Sequence, residues 1–185
     1  MPCGPRYLEP MRVAGPHPVV ARFAAGLVDQ HRQLVTLLRR EAPDLEWQPT
    51  PGRNSIGMLV AHIAISEVWW LDVAARGMPP GPEAEAHVRV RLGIGTDDDG
   101  MPAKPGSRHP ASLSGWPLDR YFELLNKTRA CTMECLASWR DAELDDPLHV
   151  GTRDVTKGWI LYHVLEHVAQ HMGQIGLLAA LQRPV

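Results

Sequence analysis

His163, His167 and His171 stand four residues apart in the stretch YHVLEHVAQHMGQ, Tyr162 to Gln174. Residues at that spacing share one face of an α-helix, so the imidazoles form a stripe. Neutral imidazole is a strong ligand for zinc and its first-row neighbours, and a pair at i, i+4 can point at one ion. All three cannot. His163 and His171 are about 12 Å apart along the axis at 1.5 Å per residue, too far for both to reach one ion through bonds of about 2 Å. An ion takes 163/167 or 167/171, and the remaining histidine lines the space beside it. Two imidazoles are too few for a tight site, so a third ligand has to come from another helix. His62 is the best candidate, mid-helix on the stripe Ser55, Met58, His62, Ser66, Trp69, and His31 is the reserve. His17, His87, His109 and His149 fall in segments read as arm or loop and are expected to be exposed.

Two other readings use the same letters. Three core histidines could each bond a carbonyl or water, at about 1–3 kcal/mol for any left unsatisfied, where leucine would cost nothing. His163-Val-Leu-Glu166-His167 also fits H-x-x-E-H, the inverted zinc-protease pattern. That pattern needs a further acidic ligand, and after Glu166 the chain has no Asp or Glu.

Long helices have to position these residues. Residues 1–17 read as a flexible arm, since four prolines and two glycines forbid a regular element. Pro18 then suits a first helical turn, and Val20, Phe23, Leu27, Leu34, Leu37 and Leu38 recur at helical steps up to about Pro43. A second helix runs from a cap at Asn54 or Ser55 to a stop at Gly77. Residues 78–116 are rich in Gly, Pro and Asp and read as a long crossover, with a short helix at EAEAHVRVRL. Asp97-Asp98-Asp99 lacks the ligand spacing of a calcium loop and reads as a solvated turn. A third helix covers 117–143, with Leu118, Phe122, Leu125, Met133, Leu136 and Trp139 inward. After a loop through DDPLHVGTRDVT, Thr156 caps a fourth helix that runs almost to the end. The expected fold is all-α, a four-helix bundle with a long crossover between helices two and three, in one domain over 18–185.

Composition sets the outer bounds. Charged residues make up 22% of the chain and the formal net charge is -2, with no basic run interleaved with aromatics, which argues against a nucleic-acid partner. No apolar run approaches the roughly 20 residues of a membrane span, and the Pro/Gly-broken start lacks the apolar middle of a secretory signal, so a cytoplasmic protein is expected. Cys3, Cys131 and Cys135 are too few for a disulfide framework. The latter two, one turn apart, read as small buried residues.

Two blocks, TPGRNSIGMLVAHIAISEVWWL and GWILYHVLEHVAQHMGQIGLL, resemble the two signature segments of the DinB-like (DinB/YfiT) superfamily of metal-binding four-helix bundles. With the lead-in Trp47-Gln48-Pro49, the resemblance covers roughly residues 20–182. It implies a divalent metal, zinc or nickel with manganese as a further option, held by one histidine of the second helix and two of the last. Carried over by position these are His62, His167 and His171, leaving His163 to face the cavity. The mycothiol-dependent isomerases of this superfamily carry glutamate at the first position of the last-helix pair, and His167 departs from that pattern. The resemblance also implies a homodimer, and transfer of a low-molecular-weight thiol to an electrophilic small molecule.

Three protein ligands would leave the ion open, a catalytic arrangement. His163 is then a candidate proton carrier, Glu166 or Gln170 a candidate for orienting a ring nitrogen, and Trp69 with Ser66 a candidate pocket wall. A metal-dependent hydrolase is the alternative enzyme. A metal-binding or stress-responsive dimeric module without catalysis is the alternative outside that class.

Overall fold

A computed structural model describes residues 16–183. The arm expected over residues 1–17 therefore lies outside the described residues, apart from Pro16 and His17. Five α-helices and one small hairpin follow in order: α1 Pro18–Glu41, α2 Ile56–Val68, α3 Pro82–Leu92, α4 Leu118–Leu136, β1 Pro147–Val150, β2 Arg153–Thr156 and α5 Lys157–Leu181. The chain leaves α2 through a π turn, Trp69–Val73, and a 3-10 turn, Ala74–Arg76, and stops at Gly77 in the left-handed region.

α1, α2, α4 and α5 form the bundle, α2 packing on α4 and α5, and α1 on α4 and α5. The protein is mostly helical and has the expected all-α fold. α2 is the central helix, buried nearly all round. Contrary to the expectation that no apolar run approaches a membrane span, Ile56–Arg76, which joins α2 to its π and 3-10 turns, is long and apolar enough to cross one, but 78% of that apolar window is buried inside the bundle.

Local signals set the helix starts. Ser55 Oγ accepts from Met58 N at 3.2 Å to cap α2, and Thr156 Oγ1 accepts from Trp159 N at 3.1 Å to cap α5. α1 is capped from far along the chain: the Asp141 carboxylate accepts from Val19 N at 2.9 Å and Val20 N at 3.0 Å. At Gly57 a Cβ would fall 2.9 Å from Leu45 O and against Tyr121 Oη, so this contact between α2 and α4 requires glycine.

Three local expectations need correction. The loop before α5 contains an antiparallel hairpin, paired from Pro147↔Thr156 to Val150↔Arg153. The third expected helix ends at Leu136, with Trp139 buried just beyond it. Met133, expected inward, is exposed, because α3 covers the face of α4 that carries Leu124 and Cys131 and so turns the buried stripe away from Met133. Cys131 and Cys135 are free and buried as expected, and burial raises both thiol pKa values, Cys135 to about 12.

The short helix expected in the crossover is α3. Its His87 Nε2 and Arg91 Nε lie 2.8 and 3.0 Å from Asp72 Oδ2 in the π turn, which fixes α3 against the end of α2. Expected in a loop, His87 instead sits on a helix and pairs with a buried carboxylate.

Candidate metal centre

The bundle brings the middle of α2 against the middle of α5, and with it His62 to His167 and His171. His167 Nε2 lies 3.1 Å from His62 Nε2 and 3.1 Å from His171 Nε2. One ring nitrogen from each residue falls within 4.8 Å of the other two, a group that could hold a metal ion. The rings meet edge-on or tilted, with centroids 4.3–5.0 Å apart.

The outer nitrogens explain why the inner ones are bare. His62 Nδ1 donates to Asp99 Oδ2 at 2.9 Å, and a carboxylate can only accept, so the proton of neutral His62 sits on Nδ1. His171 Nδ1 likewise donates to Gln174 Oε1 at 2.9 Å. Both Nε2 atoms are thereby left as lone pairs directed at His167. A single proton on His167 Nε2 could serve only one of them. Three imidazole nitrogens around a zinc ion at about 2.0–2.1 Å would stand about 3.3 Å apart in tetrahedral directions, close to the two 3.1 Å separations that His167 makes. The residues fit a divalent cation on that ground.

Electrostatics favours neutral donors at His167 and His171. Burial first, then the neighbouring His171, His62 and His163, push the His167 pKa down to about 3. His171 is also lowered, chiefly by burial, against the opposing Gln174 bond. Ligand nitrogens that stay unprotonated near neutrality need shed no proton to take an ion.

Beside His62 a cavity of about 300 Å³ opens between α2, α3 and the crossover. Ser66, Trp69 and Trp70 wall it on the α2 side; Glu85 of α3 and Thr96, Asp99 and Met101 of the crossover close the other. Ser66 Oγ stands 3.5 Å from His62 Nε2. A larger open groove of about 560 Å³ lies along β2 and Trp159 and touches no member of the triad, so the smaller cavity is the one beside the chemistry.

The other expected residues fall around this centre. His163 is outside the triad: its ring stacks on Trp159 at 4.7 Å and 9°, meets Trp70 edge-on at 5.0 Å, and lies 5.8 Å from the His167 ring. Burial lowers its pKa, against Glu166 and with Arg153. His31, the reserve ligand, is not in the group: burial first, then the charge of Arg129 on α4, lower its pKa. Among the described residues Glu166 and Gln170 make no hydrogen bond to a triad ring; the orienting bonds come from Asp99 and Gln174.

Sequence reasoning missed both. Gln174 has a local signal, since i+3 on the same helix is within reach of His171. Asp99 differs from the solvated turn expected: it is 2% exposed, and its Oδ1 accepts from Met101 N at 2.8 Å while Oδ2 holds His62. Carboxylate-histidine pairs of this kind accompany metal ligands and fix their tautomer.

The sequence matches no curated protein. The family profile described as the DinB superfamily matches residues 25–175, a span that contains the triad, Asp99 and Gln174, and the chain belongs to that superfamily.

Proposed function

We propose that this protein is a divalent-metal-dependent transferase that moves a low-molecular-weight thiol onto an electrophilic small molecule, with the ion, zinc or nickel, held by His62, His167 and His171. The observation that carries the reading is the convergence of three Nε2 atoms, 3.1 Å apart along the chain of contacts, with two outer nitrogens tied to Asp99 and Gln174. A divalent ion there supplies positive charge that lowers the pKa of a thiol placed beside it. Three neutral ligands leave that charge uncancelled, which favours an anionic partner over a neutral one.

The chain's own residues do the rest. Asp99 and Gln174 hold two rings in one tautomer, so the donors are set before anything binds. Trp69 and Trp70 line the cavity with indole surface and keep water from that side of a bound molecule. Ser66 Oγ is within reach of His62 Nε2 and can hydrogen-bond a polar atom lodged against it. His163, whose pKa burial lowers, lies 5.8 Å ring to ring from His167 and is the imidazole placed to take up a proton as a thiol ionises.

Metal analysis and thiol conjugation test this on untagged protein. The expected result is about one zinc or nickel per chain, and metal-dependent conjugation of small thiols to a chromogenic aryl halide. Ester hydrolysis needing metal but no thiol would replace the transferase with a hydrolase. A folded protein that takes up neither metal would overturn the site itself.

A further inference from the structure

The cavity beside His62 has an electrostatic character that the metal triad does not explain. Two carboxylates line it, Glu85 and Asp99, and no Lys or Arg does. Asp99 is committed to His62 and to Met101 N. Among the described residues the Glu85 carboxylate is bonded only by Thr96, whose N–H donates to Oε2 at 3.2 Å and whose hydroxyl donates to Oε1. A carboxylate offers about four lone-pair directions, so about half of its accepting capacity is unused. Among the described residues no basic side chain forms an ion pair with Glu85, although Arg89, one turn on, pairs with Asp98 and Arg91 pairs with Asp72 and Glu134. The exposed cations of α3 are thus spent elsewhere, and Glu85 faces a space walled by two indoles.

We propose that Glu85 sets substrate specificity by accepting the ammonium group of the small molecule that occupies this cavity. The selected ligand is a small amine, and where it is also the thiol of the reaction, an aminothiol with its sulfur toward the triad. This rests on the cavity being the substrate site of the proposed transferase. The chemistry that recognises such a ligand is on both sides: a charge-assisted hydrogen bond at Glu85, and the indoles of Trp69 and Trp70 in the wall, whose π systems attract a cation. An anionic group at the Glu85 end, away from the ion, would meet a carboxylate and no basic side chain.

Cysteamine and 2-mercaptoethanol differ by an ammonium in place of a hydroxyl, and ethylamine carries the ammonium without sulfur. Their binding to metal-loaded wild type and to Glu85→Gln, followed by tryptophan fluorescence and calorimetry, tests the proposal. Cysteamine also has the more acidic thiol, but that advantage persists in Glu85→Gln, so the telling quantity is the change in preference between the two proteins. The expected change is a loss of about tenfold in cysteamine affinity with 2-mercaptoethanol held within about twofold. Gln keeps an oxygen for Thr96 N–H and can donate its NH2 to the Thr96 hydroxyl, so the turn before Asp99 stays held and metal content and melting temperature should match wild type. Thr96→Val, which removes the hydroxyl donor and leaves the charge, should retain the preference. Equal loss of both thiols in Glu85→Gln, or an unchanged preference, overturns the role of Glu85 and leaves the thiol reading standing. Ethylamine binding that depends on Glu85, with neither thiol reaching the metal, supports Glu85 and overturns the thiol reading. No binding of any of the three overturns both.

Discussion

His62 and Glu67 lie five residues apart on α2, about 140° around the helix, and each enters a polar cluster inside the same bundle. Glu67, 1% exposed, meets α4: Thr132 Oγ1 donates to its Oε1, Arg129 Nη2 donates to its Oε2 at 3.3 Å, and Arg129 Nη1 stands 2.9 Å from Oε1. That last separation is an ion pair without an aligned N–H, since Nη1 counts as a donor with no bond. Both oxygens of Glu67 nevertheless have a donor and the two charges offset, so the cluster carries no surplus of acceptors, while Arg129 Nε and Nη1 make no hydrogen bond. His62 meets α5 and makes the opposite kind of cluster, with its donor given outward to Asp99 and its lone pair turned toward two other imidazoles. The difference teaches how to tell a structural polar group from a site. Where opposite charges meet, the protein needs no further ion; where lone pairs converge with too few protons to serve them, a cation can be the partner.

The division makes its largest prediction at the triad. His167→Ala/His171→Ala should abolish metal uptake, while the metal-free fold keeps its denaturation free energy to within about 1 kcal/mol, since both side chains are only half-buried. Mass spectrometry and urea titration read the two quantities. Arg129→Met should do the reverse. Removing one member of a buried ion pair strands the other, at a cost of about 3–5 kcal/mol, with metal content unchanged. Glu67→Gln in the same background should recover much of that loss. A triad variant that unfolds, or an Arg129 variant that loses metal, would break the distinction between the clusters.

The two clusters were unequally legible in the sequence. Periodicity and caps located the helices, because Ser55 and Thr156 act within three residues and the apolar stripe of α1 repeats every turn. His62, His167 and His171 followed from spacing together with the resemblance. Asp99 did not, because nothing local distinguishes it from its two neighbours: Asp97 is exposed, Asp98 pairs with Arg89 and caps Gly95 N, and Asp99 turns inward to a histidine 37 residues earlier. That choice is made by the turn at residues 95–98, which Glu85 and Arg89 of α3 hold in place. The hairpin was hidden by its brevity, four residues a strand with Pro147 at one end, although Gly151 at φ 63° is the turn glycine that such a pair requires. The Glu67 cluster was missed for the same reason as Asp99, since its partners lie 62 and 65 residues away.

Asp99 sharpens the comparison at intermediate size. Asp99→Asn removes the charge that holds the His62 proton on Nδ1 and should weaken metal affinity by about 10–100-fold. Gln174→Leu removes a neutral acceptor at an exposed position and should cost less, about threefold to tenfold. Competition against a chromogenic chelator ranks the two. Equal losses would mean that Asp99 serves only the turn through Met101 N.

The smallest effect is a difference of sign with pH in the metal-free protein. His167 has its pKa depressed to about 3 by burial and by its neighbouring imidazoles, from an ordinary 6.5. Between those values the unfolded chain binds a proton that the folded chain refuses, so stability falls as the pH drops below about 6.5. Glu67 is shifted the other way, raised from 4.5 by burial against the opposing pull of Arg129 and Thr132. Above 4.5 the unfolded chain releases a proton that the folded chain retains, so its contribution is complete at low pH and is lost as the pH rises through the folded value. Urea midpoints at about pH 7 and about pH 5 separate the two. His167→Ala should flatten the loss on acidification, and Glu67→Gln should steepen it by removing the opposing contribution. If both variants shift the profile in the same direction, the two clusters respond to protons alike, and surplus acceptors no longer distinguish the one from the other.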